Sequence, residues 1–175
     1  SEPPRGAPGV RCGSLSGMKA SKPAELIRIL RLQGIEVGQT AAEVKVGDQT
    51  FGAGSYVIKG NQPYWRLAKN FLEKQDYPDP ALTTYDDSGW TMGYAFNVDV
   101  KEVRENAILD VAAPLLKTAD VKGRIIGAGP AGLAVAHFGS NNMISFRYRL
   151  KNVPMKIAEK SFTVANTEFP AGSFI

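Results

Sequence analysis

Gly127, Gly129 and Gly132 stand in RIIGAGPAGLAVAHF at the spacing GxGxxG, directly after an apolar run. Glycines so spaced let a backbone approach a pyrophosphate at a helix N-terminus, which is the chemistry of FAD and NAD binding. Glu159 would be the acidic partner. The surrounding residues favour a glycine-rich turn between two strands instead. Too few residues follow Gly132 to finish a sheet with two nucleotide-binding halves. Gly139-Ser140-Asn141-Asn142 would also interrupt any helix that began at the third glycine, leaving it shorter than a usual helix. A dinucleotide-binding fragment stands as the alternative reading, with those three glycines as its cofactor-binding residues.

Other reactive side chains are sparse. His137 is the only histidine and neither HxxE nor HExxH occurs, so an imidazole-built zinc site would have a single ligand from this chain. No metal ligand is assigned. Cys12 is the only cysteine; it has no partner for an internal disulfide and no neighbouring base to activate it. Asp86 and Asp87 are adjacent, so they point to opposite sides of a strand or diverge on a helix, a poor arrangement for paired acid and base work. Tyr85 and Trp90 are expected to pack, with Trp90 as a core anchor, and His137 is expected to be structural on an apolar strand. No catalytic residue is assigned.

The elements that would position these residues follow from local pattern. Pro23 and the AELIRILRLQG run predict a helix with Leu26, Ile27, Ile29 and Leu30 on or near one face and a stop at Gly34. Ile35 and Val37 begin a strand. Glu43 to Val46, the turn Gly47-Asp48 and Gln49 to Phe51 predict a hairpin, with Gly47 free to take positive φ. Ser55 to Ile58 is apolar enough for an inner strand. Asn61 is expected to cap a second helix whose Tyr64, Leu67, Phe71 and Leu72 share a stripe. Farther on, Arg124 to Ile126 and Leu133 to Ala136 predict strands, Ser140 or Asn141 caps MISFRYRLKN, and Phe162 to Val164 opens a second hairpin. Phe169-Pro170-Ala171-Gly172 is expected to be a turn with Pro170 at i+1 and Gly172 at i+3.

Two of these stretches repeat. Slid by 118 residues without a gap, Leu26 to Val57 lies over Ile144 to Ile175, with seven identities that include Arg31-Leu32 on Arg149-Leu150, Phe51 on Phe169 and Ala53-Gly54-Ser55 on Ala171-Gly172-Ser173. The expected fold is therefore α/β, a mixed sheet with helices, built from a duplicated helix-strand-hairpin-strand unit. Its halves are about 22–75 and 122–175. Ser55 and Ser173 occupy matching turns, and a nucleophile is rarely duplicated that way, so both are read as turn chemistry. The second copy stops in mid-strand, so the chain is expected to be a piece of something larger, its last strand open to pairing with a second copy.

Composition limits the function classes. The 175 residues are 43% hydrophobic and 22% charged, ordinary for a globular protein large enough to bury a core. The net charge of +4 is spread among acids, as at Glu102, Arg104 and Glu105, without the basic run that tracks phosphates, so no nucleic-acid partner is expected. No apolar run approaches the roughly eighteen residues that span a bilayer, and no membrane partner is expected. Residues 1–21, rich in Pro, Gly and Ser, lack the plan of a secretion signal and are read as a flexible leader or added tail outside the fold.

The order AELIRILRLQGIEV, FGAGSYVI, NQPYWRLAKNFLEKQ and YDDSGWTMGYAFNV, followed by His137 to Asn142 as an HxGxNN-like stretch, Tyr148 to Lys151 as YRLK, and FPAGSFI, resembles the region after the catalytic domain of large bacterial zinc carboxypeptidases. The resemblance covers Lys22 to Ile175. It implies a non-catalytic accessory domain related to α/β glutamine-amidotransferase-like modules, for domain packing or positioning of a peptide-like substrate. The zinc ligands of that family, two histidines and a glutamate, lie in the preceding domain and have no counterpart here. The implied partners are the chain's own catalytic domain and a peptide substrate, the implied parent is secreted or periplasmic, and zinc belongs to that parent. A purely structural interaction domain is the remaining alternative.

Overall fold

The helix written into AELIRILRL opens the ordered core. In the computed structural model, which describes residues 9–14, 20–74, 79, 81, 89–121, 123, 125–126 and 132–175, α1 spans Ser21–Leu32 and buries Leu26, Ile27 and Leu30. Gly34 ends it at φ +82°. Its N–H donates to the Arg31 carbonyl at 3.0 Å, and the Ile35 N–H donates to the Leu30 carbonyl at 3.2 Å. This paired closure satisfies carbonyls that a helix end otherwise leaves open, and it needs a left-handed residue where glycine stands.

Residues up to Asp120 form one compact unit. Its strands are β1 (Gly9–Ser14), β2 (Gly38–Gln39), β3 (Val44–Val46), β4 (Gln49–Phe51), β5 (Ser55–Lys59) and β6 (Val100–Val103). Four of them make a sheet in the order β2-β5-β1-β6, while β3 and β4 form the expected hairpin. The segment read as a leader thus supplies an inner strand. Cys12 stands opposite Tyr56 on one side and Val100 on the other, and the register shifts between Cys12 and Ser14. Composition missed it because an inner strand is held by backbone hydrogen bonds to two neighbours, which any residue other than proline can make.

Pairing also corrects the expected mixture of strand directions, since every pair among the described strands is antiparallel. Helix α1 carries the chain from β1 to β2, and the hairpin returns β5 between them in the opposite sense. The mixed α/β class stands. Strand β5 is inner, as expected, and alternates between two cores. Tyr56 and Ile58 join Leu26, Leu30 and Trp65, whereas Val57 joins Val46, Phe51, Val103 and Ile108. This is the period of two of a strand covered on both faces. The free edge of β2 is covered by residues 113–116, with Gln39 N–H donating to the Pro114 carbonyl at 3.1 Å and Leu116 N–H to the Val37 carbonyl at 2.9 Å.

Helix α2 (Trp65–Leu72) differs from its expected form. Its buried stripe is Trp65, Ala68 and Leu72, with Leu67 and Phe71 partly buried against the core and Tyr64 52% exposed. Asn61 does not cap it. The approach is held by Gln62 instead, whose side-chain oxygen accepts the Glu36 N–H at 2.7 Å while its amide donates to the Glu36 and Lys59 carbonyls at 2.9 and 2.8 Å. Those bonds fix where the helix starts and therefore which side chains face inward. A short helix α3 (Met92–Ala95) and a 3-10 helix (Asn106–Asp110) flank β6. Trp90 is half-buried rather than a fully enclosed anchor.

The second compact unit, Val121–Ile175, contains α4 (Asn142–Arg149) and the hairpin of β7 (Phe162–Val164) and β8 (Thr167–Phe169). Phe174 bridges Val135 on one side and Ile157 on the other, both antiparallel. The strand expected at Leu133 to Ala136 is thus reduced to a bridge at Val135. Ile125 and Ile126 lie in no strand and are exposed. Asn141 gives α4 no side-chain cap; the Ser140 hydroxyl accepts the Asn142 N–H at 3.3 Å. Phe162 and Phe169 stack across the hairpin with centroids 5.1 Å apart.

Candidate functional site

The segments FGAGSY and FPAGSF close the hairpin of each unit through the same residue types. In the first, Ser55 N–H donates to the Gly52 carbonyl at 3.3 Å with Gly54 at φ +78° between them. Gly54 N–H donates to the Thr40 carbonyl at 2.8 Å, and Thr40 N–H returns to the Ser55 carbonyl at 3.0 Å. In the second, Ser173 N–H donates to the Pro170 carbonyl at 3.2 Å with Gly172 at φ +88°, Gly172 N–H donates to the Ala158 carbonyl at 2.7 Å, and Ala158 N–H returns to the Ser173 carbonyl at 2.9 Å. The turn frame is therefore Pro170 to Ser173, with Pro170 at i and Gly172 at i+2, one residue later than expected. A positive φ at i+2 is the geometry that demands glycine.

Both serines are fully buried. The Ser55 hydroxyl donates to the Gly52 carbonyl at 2.7 Å, and the Thr40 hydroxyl accepts the Ser55 N–H at 3.2 Å. The Ser173 hydroxyl accepts the His137 backbone N–H at 3.3 Å. His137 itself is half-buried, with its ring edge-on to Phe174 at 6.0 Å and its Nδ1 accepting the Gly139 N–H at 3.2 Å. A neutral imidazole so engaged carries its proton on Nε2. The contact between His137 and Ser173 runs through the backbone of the former, so the ring is not placed to take the serine proton.

Gly127 and Gly129 lie outside the described residues, as do Tyr85, Asp86 and Asp87. Gly132 is at φ +140° with open space where a Cβ would stand. The chain after it runs out to the Val135 bridge with Phe174 rather than turning into a helix. Among the described residues, none of 132–136 lies in a helix, the element whose N-terminus meets a pyrophosphate in dinucleotide-binding folds. Among the described residues, no group of three or more His, Cys, Asp or Glu side chains is placed to hold a metal, and no helix is long and apolar enough to cross a membrane.

Electrostatics are local. Arg28 donates to both oxygens of Glu25 at 2.9 and 2.7 Å, and these bonds hold the Glu25 carboxyl below its ordinary value. Lys69 pairs with Glu73 at 2.6 Å, which raises the ammonium above its usual value. Both are surface pairs one helical turn apart, of the sort that support a helix without creating a site. No protein-family model, no curated protein and no solved structure matches the chain.

Proposed function

We propose that the chain is a non-catalytic accessory domain of a zinc carboxypeptidase-like protein, built from two copies of one helix-strand-hairpin-strand unit. It acts by packing against its catalytic domain or by positioning a peptide-like substrate. The observation that carries the non-catalytic reading is the doubled clasp around Ser55 and Ser173. At the 118-residue offset, the bonds between Gly54 and Thr40 and between Thr40 and Ser55 (2.8 and 3.0 Å) recur between Gly172 and Ala158 and between Ala158 and Ser173 (2.7 and 2.9 Å). The pairing of Gln39 with Tyr56 recurs as Ile157 with Phe174. Buried hydroxyls at equivalent turns support a structural role for the one motif that the two halves share most fully.

The link to a zinc peptidase rests on the ordered segments from Lys22 to Ile175, and the zinc chemistry belongs to the parent's catalytic domain. The test is an assay of the full chain with carboxypeptidase substrates, with and without added zinc. No zinc-dependent turnover is expected. Turnover that a chelator abolishes, and that a mock preparation lacks, overturns the reading. A thermal shift with FAD or NAD would instead favour the dinucleotide alternative, since a ligand that binds only the folded state raises its stability.

A further inference from the structure

Helix α4 buries none of its residues. Ile144 and Tyr148 are 74% and 72% exposed. They stand four residues apart and so share one face. At the 118-residue offset they correspond to Leu26 and Leu30 of α1, which are 0% exposed. Arg147 and Lys151 border the same face: the Lys151 ammonium lies 5.5 Å from the centre of the Tyr148 ring, and the Arg147 guanidinium donates to the Leu150 carbonyl at 3.3 Å. Among the described residues, neither meets a carboxylate. Residues 121–175 carry seven Lys and Arg residues against Glu159 and Glu168, a net charge of +5 in a chain whose total is +4.

We propose that this face of α4 docks an amphipathic helix of a partner polypeptide, apolar along one stripe and acidic along its border. A helix is indicated because Ile144 and Tyr148, one turn apart, make a narrow apolar stripe with charge at its border, the pattern that an amphipathic helix with apolar residues three and four apart can match. An acidic border is indicated by charge complementarity, since Arg147 and Lys151 would repel a basic flank such as Arg66 and Lys69 of α2. The proposal rests on the accessory-domain reading and gives its docking partner a chemistry.

The probe is a labelled peptide of residues 61–75 carrying Arg66→Glu and Lys69→Glu, added to the full 175-residue chain and followed by fluorescence anisotropy. Saturable binding is expected, at least about tenfold weaker with Ile144→Ser, Tyr148→Ser or Arg147→Glu, and weaker again as salt rises from about 50 to about 500 mM. The three substituted side chains are exposed, so circular dichroism should report an unchanged fold. Absence of binding, equal binding of a scrambled peptide, or indifference to all three substitutions overturns the proposal. So does tighter binding of a single-stranded oligonucleotide to the same face, or self-association lost on Tyr148→Ser, which would assign the face to a second copy. Chelator-sensitive turnover would sink the accessory-domain reading whatever the peptide does, so the two failures are distinguishable.

Discussion

The backbone N–H of Gly172 donates to the Ala158 carbonyl at 2.7 Å, and the bond holds the turn after β8 against the loop before β7. Gly172 sits at φ +88° with open space around a Cβ. Gly172→Ala should therefore cost only the left-handed penalty, roughly 1–2 kcal/mol. Gly52, which has no such φ and equally open surroundings, is the control, and Gly52→Ala should be nearly neutral. Urea midpoints of the two variants measure the difference; equal midpoints would remove the turn argument.

The hairpin β7–β8 turns through Ala165 at φ +47° and Asn166 at φ +62°. Two left-handed residues suit a two-residue hairpin turn, but alanine is a poor occupant. Ala165→Gly is expected to stabilise the chain by roughly 0.5–1 kcal/mol, the relieved strain less the added freedom of the unfolded glycine. Denaturant titration should show a higher midpoint.

Removing the Ser55 hydroxyl takes away the 2.7 Å bond to the Gly52 carbonyl inside a fully buried turn. Ser55→Ala should cost about 1–2 kcal/mol in stability, the usual range for a lost buried hydrogen bond. Calorimetry of the variant tests it, and an unchanged transition would count against the structural role.

Phe51 is buried with Val46, Val57 and Ile108 beneath the sheet. Phe51→Ala should cost about 3–5 kcal/mol through lost transfer energy and the cavity left behind. Its hairpin partner Val44 is only half-buried, so Val44→Ala should cost clearly less in the same titration.

Glu25 is held below its ordinary value by the Arg28 side-chain bonds. A carboxyl whose folded value is depressed contributes stability above its unfolded value and loses it as pH falls through the folded one. Glu25→Gln should therefore lower the urea midpoint slightly near neutral pH and leave it unchanged in acid. High salt should shrink the neutral-pH difference, since both side chains face solvent.

Some features were legible because their cause is local. The α1 stripe and its Gly34 stop, the hairpins with their turns, and the apolar run of β5 are each set by residue spacing or by a required φ. Others depended on distant neighbours. Gln62, tied to Glu36 and Lys59, fixes where α2 begins, so Trp65 faces the core in place of Tyr64. The strand expected over Leu133 to Ala136 shrank to a single bridge because Val135 pairs with Phe174, a partner far along the chain.

By itself, the sequence determined the α1 helix with its Gly34 stop, the two hairpins and the recurrence of FxAGS, because periodicity and backbone sterics act over a few residues. Tertiary structure alone decided that Gly9–Ser14 lies inside a sheet, and that Leu26 and Leu30 are buried while Ile144 and Tyr148 face outward. The physical reason is the same in both cases. Backbone pairing and burial depend on what lies opposite a residue, and neither its own type nor its neighbours' spacing records that.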